Sequence, residues 1–333
     1  MQQIPTLLAQ GEGIIRQAPV DWTERALREC EGAQHLLGDG INQLMAQEGI
    51  DDQHVRAAAD QAGAAFARFE TYLRRDLLAN HADSYACGEA AFDMLMRQGH
   101  CLNLTGEEIL AYAEEQWAEA DRALAAHAAD FGVATPGEAL AELADLHPAT
   151  DEYYARYTEL WQACYATAQE EKLLTWPDFP IEYVPRPQWV REAAACLYFL
   201  FYRSPAAVNR PPVHQYLVAP LDPSLSAAEQ TAFLRSNNDS VIKLNHVVHH
   251  GAIGHHVQNW HAFRADSRIG RIAAIDCASR IALFCGGTMA EGWACYATDL
   301  MGEAGFLTPL ERYAEAQSRR RMSARAIVDI KLH

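Results

Sequence analysis

The chain has 333 residues, half of them apolar, enough to bury a large core as one domain or two. Its 27 Lys and Arg against 44 Asp and Glu give a formal charge of −17. That balance argues against nucleic acid and against an anionic membrane surface as partners, because both demand excess cation. It is compatible with a small or cationic ligand and selects neither, and composition does not set the oligomeric state.

The opening stretch MQQIPTLLAQGEG has no basic start, no long apolar core and no small-residue cleavage site, so no secretory leader is read there. Apolar residues then recur at three- and four-residue steps, predicting helices over 21–48, 51–80, 83–98, 105–130, 136–145, 150–172, 187–202, 226–236, 238–264, 268–301 and 308–333. Thr105 with Glu108, Ser226 with Glu229, and Thr308 with Pro309 and Glu311 have the spacing of helix-starting caps. The proline-rich stretch TWPDFPIEYVPRP to VHQYLVAP interrupts this pattern, so a short extended or β-ribbon segment is expected around 178–220. The longest apolar run, Ala193–Tyr202, is about half the length of a membrane span. The eight cysteines are scattered without a CxxC pair, as reduced thiols of a cytoplasmic protein would be. The expected architecture is all-α. A helical N-terminal region over 1–150 would precede a C-terminal region over 151–333, within one compact unit.

Chemistry concentrates in one place. Six of the fourteen histidines fall between His246 and His261, in NHVVHHGAIGHHVQNWH. Imidazole is the commonest metal-binding side chain. On an ideal helix His246 and His250 share a face at the spacing that lets two imidazoles grip one ion. His249 and His256 share an azimuth two turns apart, and Gly251 and Gly254 between them permit a break that shortens that distance. A hard anionic ligand should come from a neighbouring helix, and Glu291 lies about forty residues downstream. The alternative is a polar core in which histidines satisfy one another and backbone carbonyls.

HHGAIGHHVQ followed by AEGWACYATDLMGEAGF resembles the DUF885 family of bacterial helical proteins, whose pattern is HExxPGHH and then EGWAxYxE. GEAAFDMLMRQGHCLNLTGEEILAYAEEQWAEAD and SARAIVDIKLH resemble earlier and later segments of the same family. The resemblance implies a zincin-like helical metallopeptidase architecture, with Zn2+ on His249, on one or both of His255 and His256, and on Glu291. Four departures stand out. The family's glutamate base is His250 here, its proline is Ile253, the glutamate of its second motif is Thr298, and the glycine of its last segment is Lys331. His250 is therefore expected to serve as the base or as a further ligand.

Among other candidates, Arg325 in SRRRMSAR could hold a substrate carboxylate, and Tyr216 in HQYLVAP could donate to an oxyanion. Trp260, Trp293 and Tyr296 follow helical spacing and are read as core. The first expectation is a metal-dependent hydrolase of a peptide, amide or small acyl compound. The alternatives are a lyase or redox enzyme using Fe, Mn or Cu on the same fold, and an inactive metal-binding relative.

Overall fold

The computed structural model describes every residue except 129, 131, 132, 177–180, 195–201, 204–213 and 274–286. Its elements follow one another as helices α1 (Ile4–Ile14), α2 (Val20–His35), α3 (Ile41–Gln47), α4 (Gln53–Tyr72), α5 (Glu89–Met94), α6 (Gly106–Ala128), α7 (Pro136–Asp145) and α8 (Tyr153–Glu170). Strand β1 (Ile181–Pro185), helix α9 (Gln188–Ala194) and strands β2 (Tyr202–Arg203) and β3 (His214–Val218) come next. Helices α10 (Ala227–Ser236), α11 (Asp239–Val241), α12 (His255–Phe263), α13 (Arg268–Ala273), α14 (Gly287–Glu303) and α15 (Pro309–Leu332) complete the chain. A π-helix, Ile242–Gly251, runs between α11 and α12.

The fold is all-α, as the periodicity predicts. The predicted caps form at Thr105, Ser226 and Thr308, each donor–acceptor pair closing between the cap and the glutamate three residues on. Helix α1 is not predicted by the sequence. Gly11 and Gly13 dilute its apolar pattern, and its one signal is Pro5 in the first turn. The segment predicted as helix over 187–202 is helical through Ala194, then lies outside the described residues until Tyr202–Arg203, which form a strand. The 268–301 prediction is met by α13 and α14, with 274–286 outside the described residues.

The chain divides into two compact units, the first comprising residues 1–86 and 186–201, the second residues 87–185 and 202–333. In the first, Leu27 and Cys30 of α2 pack against Leu73 and Leu77, with Phe66, Phe69 and Tyr72 around them. In the second, α6 and α15 lie along one another, and Leu124, Ala139, Leu143 and Tyr313 tie them to α7. The expected extended segment is a three-stranded sheet ordered β1-β3-β2. Strand β3 pairs in parallel with β1, from Ile181↔His214 to Pro185↔Val218, and antiparallel with β2. Its central place explains why four of its five residues are buried.

Candidate metal centre

The stretch predicted as one helix over 238–264 is wound three ways. After the single turn of α11 the backbone widens into the π-helix, breaks at 252–254 and restarts as α12. The widening is visible in the Ala252 amide, which donates to the Val247 carbonyl five residues back at 2.8 Å. Glycine permits the break. A Cβ at Gly251 would fall on the Tyr183 hydroxyl, and one at Gly254 on the His249 carbonyl.

A buried break frees carbonyls that must find donors. Trp161 of α8 donates its indole N–H to the Gly251 carbonyl at 2.8 Å. Trp293 of α14 donates to the carbonyls of Ile253 and Gly254 at 3.0 and 3.2 Å. The Tyr183 hydroxyl of β1 donates to the His246 carbonyl at 3.1 Å. At the start of the π-helix, buried Lys243 donates to Glu311 at 2.7 Å and to the Phe306 carbonyl at 2.8 Å. Four elements of the second unit, α8, β1, α14 and α15, and the loop carrying Phe306 thus hold this one segment in place.

The result is a histidine cluster straddling the break. His249 and His250 come from the last turn of the π-helix and His255 from the first residue of α12. Their ligand atoms all lie within 4.8 Å of one another. Glu291, in the first turns of α14, brings Oε2 to 3.4 Å from His249 Nε2 and 3.5 Å from His255 Nε2. A tetrahedral ion with bonds of about 2.05 Å needs donors about 3.4 Å apart, and the carboxylate stands at that spacing from His249 and His255. The donor types and their separation fit a divalent cation.

The protonation states agree with that fit. His250 Nδ1 lies 2.7 Å from the Asn245 carbonyl, which can only accept, so Nδ1 carries the proton and Nε2 keeps its lone pair. Burial, with the neighbouring imidazoles of His249 and His255, holds the His250 pKa well below that of free histidine, so the ring is neutral. For Glu291, burial pushes the pKa up, but hydrogen bonds from His249 and His255 outweigh it and hold it well below the usual carboxylate range. Ligation requires a neutral imidazole, as His250 is, and an ionised carboxylate, as Glu291 is.

The cluster opens on a cavity of about 450 Å³, lined by His249, Glu291, Cys295 and Thr298 on one side and by residues of α15, among them Glu315, Arg321 and Arg325, on the other. His255 is buried, whereas the Glu291 side chain is 58% exposed. A ligand reaching the cluster would therefore meet Glu291 from the cavity.

The other sequence candidates lie elsewhere. His256 is fully buried with its ring 5.1 Å from that of His214, apart from the three clustered imidazoles. His246 sits below the cluster, its Nδ1 bonded to the Tyr216 hydroxyl, and burial lowers its pKa to about 4. Tyr216, buried in β3, thus supports His246 and does not line the cavity. His261 is exposed. Trp293 is more than core, since it binds the break. Trp161 and Tyr183 escape the sequence reading altogether, because nothing in TELWQACYA or IEYVP marks a partner 90 or 63 residues away.

The family profile described as "Bacterial protein of unknown function (DUF885)" matches residues 1–333. No curated protein sequence matches the chain. Among solved structures, the chain resembles one from Shewanella oneidensis described as "a putative lipoprotein of unknown function", with a TM-score of 0.70 and 19% identity, covering 100% of this chain and 60% of that one. It also resembles "the putative lipoprotein from Colwellia psychrerythraea", with a TM-score of 0.62 and 18% identity, covering 84% of this chain and 46% of that one. The chain thus spans about half of each structure's length. The likeness establishes a shared fold. It also corrects the expectation of a cytoplasmic protein: both matched structures are described as "putative lipoprotein" and extend beyond the span of this chain, so the first residues of this chain are no guide to location.

Proposed function

The chain belongs to the DUF885 family, and from that premise we propose that it is a metal-dependent hydrolase of a peptide, amide or small acyl compound. The observation that carries this reading is a cluster of three imidazoles beside an ionised carboxylate, with His249 and Glu291 at the wall of a cavity large enough for a small substrate. His249, His250 and His255 would hold the ion, with Glu291 as the fourth donor. When bound, such an ion supplies Lewis acidity toward a carbonyl and makes water a nucleophile near neutral pH.

The chain's own residues do the rest. The Asn245 carbonyl fixes the His250 ring, which favours a ligand role for His250 over the base role that its place in the motif suggests. Glu291 turns Oε2 toward the His249 and His255 imidazoles, as the carboxylate donor of the set would. Buried Tyr216 and Tyr157, with half-buried Tyr183 between them, pack under His246 and keep solvent from the back of the cluster.

The test is turnover of short peptides and their amides by the full chain before chelation, after chelation and after zinc is returned. Loss on chelation and recovery with zinc is expected. Turnover that survives chelation would overturn the reading. Recovery with iron, manganese or copper but not zinc would keep the hydrolase and change its metal.

A further inference from the structure

Helix α15 carries four arginines close together, and they divide into two kinds. Arg319 is paired with Asp299 and with Glu315 at 3.0 Å, and Arg320 with Asp121 at 2.8 Å. Arg321 and Arg325 form no ion pair among the described residues, although the chain has seventeen more acidic than basic groups. Both line the cavity that holds His249 and Glu291, on the helix face that also presents Ser318 and Met322.

Two like charges one turn apart weaken a helix by a few tenths of a kcal/mol, a cost that a bound anion removes. The acids already in the cavity do not meet that need. Glu315 is taken by Arg319, and Glu291 by the two imidazoles. A neutral ligand would leave both guanidinium groups without a partner, whereas a carboxylate matches the arginine fork with two parallel hydrogen bonds.

We propose that Arg321 and Arg325 form the recognition site for a free carboxylate, so that this cavity takes peptides or acylamino acids with an unblocked C-terminus. This deepens the hydrolase reading and rests on it for the word substrate. The site itself is tested by binding. The geometry places the anion on α15 and the bond to be cut toward α14 and the histidines, which makes the carboxylate a handle outside the reacting atoms.

The experiment is calorimetric titration of the full chain, as purified and after zinc loading, with N-acetyl-Ala-Ala and with its C-terminal amide. The free acid should bind at least about tenfold more tightly than the amide, the gain of a charge-assisted bidentate pair. Arg321→Ala and Arg325→Ala should each erode that preference, and the double variant should abolish it while leaving amide binding unchanged. Arg325→Lys should restore part of it, and Arg320→Ala, outside the cavity, should leave it intact. Thermal midpoints of all variants identify any that fail to fold, and the wild-type acid-to-amide ratio needs none of them. Equal binding of acid and amide, no binding of the acid, or a parallel loss of both in the variants would overturn the proposal. Absence of turnover with the acid preference intact would instead count against the hydrolase. Turnover without that preference would leave the hydrolase and remove the carboxylate site.

Discussion

Helix α15 and the broken helix from Asp239 to Phe263 are similar in length, yet they are held by different means. Helix α15 is self-sufficient. Thr308, Pro309 and Glu311 cap its start, and its backbone bonds are internal from there to Leu332. The broken helix is not. Its carbonyls at His246, Gly251, Ile253 and Gly254 are satisfied by side chains of β1, α8 and α14. A segment that satisfies its own backbone can present any face to its surroundings. One that borrows donors is fixed in a conformation no local preference would choose, and here that conformation gathers His249, His250 and His255. The irregular winding is the means by which three histidines spaced one and five residues apart come to one point.

The comparison can be broken most severely where the two regions meet. Lys243 and Glu311 are both largely buried, with side chains 8% and 12% exposed, and join the π-helix to the cap of α15. Lys243→Ala strands the Glu311 carboxylate and should cost about 3 kcal/mol in urea unfolding, whereas Lys243→Met, which keeps the packing over Phe306, should cost less. A loss under about 1 kcal/mol for the alanine variant would mean that the two regions are not coupled through this pair.

Next in size is the glycine break. Gly254→Ala sets a methyl group on the His249 carbonyl, which belongs to the backbone and cannot rotate away. A destabilisation of about 2 kcal/mol is expected, together with lost metal affinity, because the carbonyl that must move belongs to a ligand residue. A variant of wild-type stability that still binds metal would show that the break does not need glycine.

The smallest effects separate the regions most cleanly. Trp161→Phe removes the donor to the Gly251 carbonyl, and Thr308→Ala removes the cap of α15. Each should lower stability by about 1 kcal/mol. Only Trp161→Phe should also weaken metal binding, measured by competition with a chromophoric chelator. Equal metal affinity in the two variants would contradict the idea that borrowed donors shape the site.

The same contrast explains what was legible in the sequence. Capped, periodic helices such as α7, α10 and α15 follow from local rules, and their predicted bounds agree with the structure to within a residue at nearly every end. The proline-rich stretch announced strands, and the motif order announced the family. The region of the site was also legible, from histidine density and the two glycines. Its internal arrangement was not. An α-helical wheel pairs His246 with His250, but the π-helix closes its bonds one residue later, and His246 passes beneath to Tyr216 while His250 joins His249. Whether His255 or His256 follows the break into the cluster depends on how α12 restarts. That is set by Trp161 and Trp293, far away in sequence.

The most direct test of the account is the metal content of the purified full chain, by elemental analysis, in wild type, His250→Ala and His256→Ala. The account predicts about one divalent ion per chain in wild type, its loss in His250→Ala and its retention in His256→Ala. No ion in the folded wild type, or an ion that survives His250→Ala and disappears in His256→Ala, would contradict it.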